Sequence, residues 1–221
     1  MSKVIEIIDL TLVLQGKTIL KIPYFSLDRE ESIALTGPNG AGKSTFLFVM
    51  AALQKPTAGT VSLFGKNVKD HSLLELRRRM AVVFQKPMMF DLTVMENLEL
   101  GLKYRQINHK EKENKIYHWL EKMRLAHLVK RRARSLSGGE AQRVALAQAL
   151  ILEPEIIFLD EPFANLDKEM RQELIDEIGK TLKAGKITTV MVTHHRMEAA
   201  AIADSIYNME DGEIINREFC N

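Results

Sequence analysis

Short apolar runs typical of β-strands lie toward both ends of the chain, and helical spacing dominates its middle. The strand-like runs cover residues 4–8, 10–14, 18–22, 32–36, 156–159 and 188–193. Helical stripes occur at two places, Phe46, Val49, Met50 and Leu53, and then Ile116, Trp119, Leu120 and Met123. Strands that alternate with helices predict an α/β fold with a mainly parallel sheet, whose ligands bind at the carboxyl ends of the strands.

Local signals mark where some of these elements begin or turn. Thr93 and Glu96 have the spacing of a capping box, so a helix is expected to start there. Asp211-Gly212 separates two β-rich runs and predicts a tight hairpin. We interpret residues 1–221 as one domain made of a core with an antiparallel β subdomain and an inserted helical subdomain. The predicted bounds are 1–85 with 155–221 for the core and 86–154 for the insertion.

Composition excludes several classes of protein. At 46% hydrophobic and 27% charged residues, the chain has the balance of an ordinary globular protein. Its longest apolar stretches, such as 46–53, are far shorter than the about 20 residues of a membrane helix. Glu6 and Asp9 interrupt the first apolar stretch, so it is not a secretory signal. The single cysteine, Cys220, excludes a disulfide scaffold or a cysteine metal site and predicts a reducing cytosol.

The overall charge gives no attraction to nucleic acid. Lysine and arginine number 31 against 29 acidic residues, a formal net charge of +2. Two basic runs, at 77–79 and 130–134, lack interleaved aromatic residues. We interpret these runs as solvated helix faces or nucleotide neighbours and expect no nucleic-acid partner.

Residues 37–44, with the sequence GPNGAGKS, match the phosphate-loop (Walker A) pattern G-x-x-x-x-G-K-[ST] completely. They lie after a predicted strand and open a predicted helix, where backbone N–H groups and the helix dipole attract phosphate oxygens. A glycine-rich turn before a helix is the alternative, but a chance match is rare. Lys43 is expected at the β- and γ-phosphates and Ser44 on Mg²⁺. The expected nucleotide-binding residues are Gly37, Pro38, Asn39, Gly40, Ala41, Gly42, Lys43, Ser44 and Thr45.

Two acidic residues follow the apolar run at 156–159. Asp160 is a candidate ligand of Mg²⁺, as the second acid of a phosphate-loop nucleotide hydrolase. Glu161 is the candidate that polarises the attacking water. Two acids that merely solvate the end of a strand are the alternative, which a complete phosphate loop in the same chain disfavours.

A second helix N-terminus has unusual chemistry. Ser137 and Glu140 have capping-box spacing before a helix expected at 141–152. Gly138 and Gly139 in its first turn cost about 1 kcal/mol each relative to alanine, which favours a site where an anion approaches the backbone closely. Because one chain needs only one phosphate cradle, this second cradle predicts a site completed by another subunit.

Six motifs in this order resemble an ABC-type ATPase subunit over essentially the whole chain. They are the phosphate loop, Gln85, residues 136–140, Asp160-Glu161, the segment Asn165-Leu166-Asp167, and His194. The resemblance implies that Gln85 senses Mg²⁺ and joins the two subdomains. It also implies that Ser137, Gly138 and Gly139 bind the γ-phosphate of ATP held by a partner subunit. Asp167 would lie in a loop crossing the dimer interface, and His194 would touch the γ-phosphate, whereas His195 is interpreted as structural.

The chain departs from the family pattern at two positions. Glu140 replaces the usual glutamine, which we do not interpret as inactivating. In Leu14-Gln15-Gly16, a glutamine occupies the place where the family commonly has an aromatic residue that stacks on adenine. We therefore expect nucleotide affinity to rest mainly on the triphosphate.

The resemblance implies an ATP hydrolase with Mg²⁺ that works as a homodimer, with two ATP molecules at the interface. Separate permease subunits in the membrane, and indirectly a substrate-binding protein, would be its partners on the cytoplasmic face. Residues 84–87 and 161–167 resemble bacterial or archaeal importers, and 136–143 those for oxyanions such as tungstate or molybdate. Pro87 to Phe90 would form a groove for a permease helix, although a core position is an equal alternative. A non-transport ABC ATPase of iron–sulfur assembly or cell division, and an exporter ATPase, remain alternatives.

Overall fold

Strands and helices alternate along the computed structural model, which describes residues 2–105, 108–164 and 166–220. The strands are β1 (Lys3–Leu14), β2 (Lys17–Asp28), β3 (Ser32–Thr36), β4 (Ala58–Leu63), β5 (Lys66–Asn67), β6 (Met80–Val83), β7 (Ile156–Asp160), β8 (Thr188–Val192), β9 (Ser205–Glu210) and β10 (Glu213–Phe219). The helices are α1 (Lys43–Met50), α2 (Leu73–Arg77), α3 (Val94–Tyr104), α4 (His109–Lys122), α5 (Gly138–Leu150), α6 (Lys168–Ala184) and α7 (Arg196–Ile202), with 3₁₀ turns at Ala126–Leu128 and Ala133–Ser135.

The larger sheet has the strand order β10-β9-β3-β8-β7-β6. Its strands from β9 to β6 pair in parallel, and only the β9–β10 hairpin is antiparallel. Every residue of β7 and β8 is buried, which explains why both strands are continuous apolar or Thr-containing runs. The predicted α/β fold with a mainly parallel sheet is confirmed.

The smaller sheet is antiparallel, with the order β2-β1-β4-β5. The prediction of separate strands at 4–8 and 10–14 is wrong, because both runs belong to the single strand β1. Asp9 between them has a left-handed φ of +49°, and the pairing with β4 shifts register after Ile8. A bulge therefore bends one strand at this point instead of ending it.

The helices follow the predicted stripes with two corrections. Helix α1 starts at Lys43 as expected but ends at Met50, because Ala52 has a left-handed φ of +54° and Leu53 is exposed. Helix α5 includes the two glycines before residue 141 and ends at Leu150. The capping box of Thr93 and the buried stripe on α4 are present as predicted.

Two apolar clusters lie on opposite faces of the larger sheet. Strand β7 contributes to both, since Ile157 and Leu159 pack with the helices α3 to α6, while Ile156 and Phe158 pack with α1 and the smaller sheet. The helical cluster is built largely from residues 94–182, within and just beyond the predicted insertion. The subdomain division at 85/86 and 154/155 stays a prediction.

Candidate functional site

The loop at residues 37–44 joins β3 to α1 and rests on the C-terminal hairpin. Gly37 has φ of +138°, and a Cβ atom there would overlap the carbonyl oxygen of Met209. The backbone N–H of Gly212 donates to Ala41 O at 3.1 Å. Backbone contacts with β9 and with the turn before β10 therefore fix the path of the loop and exclude a side chain at its first glycine.

Lys43, the first residue of α1, directs its ammonium group back over this loop. Its Nζ atom donates to Gly37 O at 2.9 Å and to Pro38 O at 2.8 Å. Burial lowers the pKa of Lys43, and the negative charges of Glu161 and Asp160 oppose that shift. The cation is thus held at the mouth of the loop by two carbonyl oxygens, next to two carboxylates.

Ser44 and Asp160 meet across the end of the sheet. The Ser44 hydroxyl donates to Oδ1 of Asp160 at 2.8 Å. Burial raises the pKa of Asp160, while the hydrogen bond from Ser44 lowers it. The pair offers hard oxygen ligands of the kind Mg²⁺ prefers.

These donors fit a magnesium ion that is also coordinated by phosphate. Within the described ranges, no group of three or more His, Cys, Asp or Glu side chains is placed to hold a metal ion. Mg²⁺ is commonly bound through one or two carboxylates together with substrate phosphates and water. One hydroxyl and one carboxylate beside a phosphate loop match that coordination.

Glu161 and His194 form a second polar pair, at the ends of β7 and β8. The Nδ1 atom of His194 lies 2.7 Å from Oε2 and 2.9 Å from Oε1 of Glu161. Glu161 has a left-handed φ of +48°, and its backbone N–H donates to Val192 O at 2.9 Å. The turn that follows β7 is thereby bound to the neighbouring strand β8. The Glu161 carboxylate in this turn contacts the imidazole of His194.

Lys43, Ser44 and Glu161 line a cavity of about 250 Å³ at the phosphate loop. Asp160 and His194 are not part of this lining and reach it through their contacts with Ser44 and Glu161. Gln85, which follows β6, lines the same cavity. Its lining residues are Ile19, Asn39, Gly40, Gly42, Lys43, Ser44, Thr45, Gln85, Glu161 and Val192. Sequence reasoning missed Ile19 and Val192, since neither carries a polar group or a motif and only the packing of β2 and β8 brings them here.

The predicted second cradle lies outside this cavity. Ser137 and Gly138 are exposed at the N-terminus of α5, and Gly139 is half-buried. The capping box is present, because Glu140 N donates to Ser137 Oγ at 3.2 Å and Ser137 N donates to Glu140 Oε2 at 2.7 Å. That backbone hydrogen bond lowers the pKa of Glu140. The carboxylate is therefore turned toward the cap and held there.

Asp167 is not among the residues that line the cavity either. It is the exposed N-cap of α6, and its Oδ1 accepts from Met170 N at 3.0 Å. The cap alone accounts for an aspartate at this position. The neighbouring Asn165 of the same motif lies outside the described residues.

Two exposed features complete the picture. Gln15 occupies the exposed turn between β1 and β2 with φ of +51°. In the segment after Gln85, Met88 is 73% and Phe90 is 65% exposed, whereas Met89 packs against the helical cluster. A wholly buried position for this segment is therefore excluded.

Among the described residues, no helix is both long enough and apolar enough to span a bilayer.

The parallel sheet, the glycine-rich loop opening α1 and the acidic end of β7 define a phosphate-loop fold of the nucleotide-binding class. A family model described as ABC transporter matches residues 20–164, more than half of the chain. The chain belongs to the ABC transporter family, which confirms the resemblance inferred from its motifs.

Two curated relatives and one solved structure illustrate the similarity. The molybdate/tungstate import ATP-binding protein WtpC of Thermococcus kodakarensis is 38% identical over 192 residues, 86% of this chain and 58% of the relative. The spermidine/putrescine import ATP-binding protein PotA of Desulfitobacterium hafniense is 34% identical over 214 residues, 96% of this chain and 61% of the relative. The chain thus spans less than two thirds of either relative. The dimeric structure of MJ0796, a bacterial ABC transporter cassette, matches with a TM-score of 0.90 and 29% identity, covering 98% of this chain and 99% of that one.

Proposed function

We propose that this chain binds ATP with Mg²⁺ and hydrolyses it to power transport through separate membrane subunits. The observation that carries this proposal is the meeting of Ser44 and Asp160 at 2.8 Å beside the buried Lys43. Hydroxyl, carboxylate and ammonium are the groups that phosphoryl transfer requires around the phosphates. The family membership supports the same reading.

The phosphate loop would hold the triphosphate. Its backbone N–H groups and the N-terminus of α1 favour anionic oxygens, and Lys43 would leave the carbonyl oxygens of Gly37 and Pro38 for the β- and γ-phosphates. Ser44, Asp160 and Gln85 would hold Mg²⁺, and all three lie at this cavity or in contact with it. When bound, Mg²⁺ supplies charge neutralisation to the phosphates.

Glu161 would act on the attacking water. Its carboxylate lines the cavity and is held by His194, so it is oriented before the reaction starts. The water proton would pass to Glu161 as the oxygen attacks the γ-phosphate, and the bond to the β-phosphate oxygen would break. His194 would touch the γ-phosphate with the ring that holds Glu161.

A second copy of the chain would complete the site. The N-terminus of α5 with Ser137, Gly138 and Gly139 is accessible and outside the cavity of its own chain. It therefore suits the phosphates bound to a partner, with Asp167 at the interface. The dimeric state described for the similar cassette supports this arrangement.

The transport role extends the proposal beyond the site. Met88 and Phe90 expose two large apolar side chains in the segment that follows Gln85, and methionine adapts readily to a partner surface. Both observations support docking of a permease helix on residues 87–90. Both relatives are named as import ATP-binding proteins, which supports import as the direction of transport. The chain would then act at the cytoplasmic face of the membrane, with a substrate-binding protein as an indirect partner outside. One of the two relatives names an oxyanion, which supports the oxyanion solute that residues 136–143 suggest, whereas the other names a polyamine.

Hydrolysis is tested with purified protein. Release of phosphate from ATP should depend on Mg²⁺ and should be lost in Lys43→Ala, because that variant lacks the phosphate-binding cation. The control is Lys180→Ala, which removes an exposed lysine of α6 and should keep the wild-type rate. Equal activity of wild type and Lys43→Ala would overturn the proposal.

The transport role is tested by purification from native membranes in mild detergent. The chain should co-purify with an integral membrane protein, and Met88→Glu with Phe90→Glu should release it. Phe219→Glu serves as the control, since Phe219 is 72% exposed on β10 at the far edge of the larger sheet. Recovery of an active ATPase without any membrane protein would favour the non-transport alternative.

A further inference from the structure

Arg171 lies in the first turn of α6 and donates hydrogen bonds to the loop that precedes this helix. Its Nη2 atom donates to Leu166 O at 3.3 Å and to Ala164 O at 3.5 Å. The guanidinium group therefore holds the backbone of the loop at two points, just before Asp167. Carbonyl oxygens in an irregular loop need such donors, because no strand or helix supplies them.

The other two nitrogen atoms of the same guanidinium face the segment between β8 and α7. The Nη1 atom lies 3.4 Å from Nε2 of His195, and Nε lies 3.9 Å from Oε1 of Glu198. The Glu198 side chain is only 5% exposed, so its charge requires a nearby cation. Within the described part of the chain, neither Nε of Arg171 nor Oε1 of Glu198 makes a hydrogen bond. Each atom therefore depends on the opposite charge of the other.

Glu198 carries this connection to the residue before His194. Its Oε2 atom accepts from the hydroxyl of Thr193 at 2.7 Å. That hydroxyl in turn accepts from the backbone N–H of His195 at 3.1 Å. Thr193 and His195 flank His194 along the chain, and a hydrogen-bond network that ends at Arg171 fixes the positions of both.

We propose that Arg171 is a positioning residue for ATP hydrolysis, which sets Ala164 and Leu166, just before Asp167, relative to the segment 193–195. The inference rests on the proposed function. One loop carries Asp167, proposed for the contact with the second copy, and the other carries His194, proposed for the γ-phosphate. Because a single planar group binds both loops, it fixes the position of the dimer contact relative to the Glu161–His194 pair.

The planar fork is essential to this role. Arginine presents five N–H donors in a fixed geometry, whereas lysine offers a compact point charge on a flexible stem. A lysine at position 171 would keep the charge that faces Glu198. It would not reach the carbonyl oxygens of the first loop and His195 at the same time, so charge alone would not restore the link.

The experiment compares Arg171→Gln and Arg171→Lys with wild type and with Arg196→Gln. Arg196 is a matched control, because it is an exposed arginine of α7 whose ion pair with Glu218, at 2.8 Å, lies outside the network. We expect kcat to fall about 10- to 100-fold in both Arg171 variants, the size typical of misplaced reacting groups. KM and the Kd for ATP should stay within about threefold, because the phosphate loop is unchanged. The control should keep the wild-type kcat.

Several results would overturn the inference. These are a wild-type kcat in Arg171→Gln, full recovery in Arg171→Lys, or an equal loss in Arg196→Gln. If Arg171→Gln does not fold, Glu198→Gln tests the same link, since glutamine still accepts from Thr193 but no longer attracts the guanidinium. A severalfold lower kcat is expected there, and an unchanged kcat would contradict the proposal. A wild-type chain without ATP hydrolysis would instead refute the proposed function itself.

Discussion

The Nδ1 atom of His194 lies 2.7 Å from Oε2 of Glu161, and the two residues follow neighbouring parallel strands. The Glu161 side chain is 14% exposed and that of His194 is 50% exposed. The histidine is therefore the accessible member of the pair and the glutamate the sheltered one. Such an arrangement holds a carboxylate in one orientation at the edge of the cavity.

Glu161→Gln should slow ATP hydrolysis by about 10²- to 10⁴-fold, since the amide keeps the size of the side chain but not its basicity. ATP binding should persist, because the contacts of the phosphate loop are untouched. The variant should therefore accumulate as an ATP-bound dimer, measured by size-exclusion chromatography. Lys43→Ala, as the comparison, should neither bind ATP well nor dimerise. A near wild-type rate in Glu161→Gln would direct attention to His194 as the base.

Gln15→Tyr should tighten the binding of ATP. Gln15 is exposed in the turn between β1 and β2, at the position where the family resemblance implies an aromatic ring that stacks on adenine. Base–aromatic stacking contributes about 1–3 kcal/mol per base. In the wild type, GTP should compete well with ATP, and the new ring should strengthen both interactions in equilibrium titrations. An unchanged Kd for ATP would mean that another group already supports the base.

Glu140→Gln should keep the hydrolysis rate within a few-fold. The carboxylate of Glu140 accepts from Ser137 N at 2.7 Å, and a glutamine side chain completes the same capping box. Steady-state kinetics of the purified variant provide the measurement. A hundredfold loss would instead give Glu140 a part in the chemistry that its orientation does not support.

Asp160→Asn should make the protein more stable and less active. A carboxyl with a raised pKa binds its proton more tightly in the folded chain. Its contribution to stability is therefore present at low pH and is lost as the pH rises through the folded pKa. The variant should gain about 0.5–2 kcal/mol in the free energy of unfolding near neutral pH, and less in acid. Urea denaturation across pH measures this, with the exposed Asp70→Asn as control.

Gly212→Ala should destabilise the chain more than Gly65→Ala does. Both glycines have left-handed φ angles, +82° and +74°. A Cβ at Gly65 meets no atom within 4 Å, whereas one at Gly212 would overlap the carbonyl oxygen of Ile19. Gly65→Ala should cost about 1 kcal/mol through backbone conformation alone, and Gly212→Ala about 1–3 kcal/mol more. Equal unfolding free energies in denaturant would contradict this contact.

Sequence patterns predicted the features that depend on neighbours along the chain. The phosphate loop, the capping boxes at Thr93 and Ser137, and the hairpin at Asp211 each follow from a few adjacent residues whose preferred geometry is known. Burial on both faces likewise made β7 recognisable as an unbroken apolar run.

The features that escaped prediction depend on packing between distant segments. Asp9 bends β1 without ending it, because β2 pairs with β1 on both sides of this residue, while the pairing with β4 shifts register. Ile19 lines the cavity only because β2 packs beside the phosphate loop. The guanidinium of Arg171 links two loops whose proximity no spacing along the chain reveals.

The hydrogen bond from Gly212 N to Ala41 O has a consequence for the order in which the molecule assembles. It joins the phosphate loop, near the start of the chain, to the turn that connects its last two strands. Contacts of such large sequence separation form slowly, because closing the intervening chain costs entropy. During synthesis, the loop would leave the ribosome long before the hairpin that shapes it. The ability to hold a nucleotide should therefore increase when β9 and β10 dock on the loop, so that ligand binding reports on this docking.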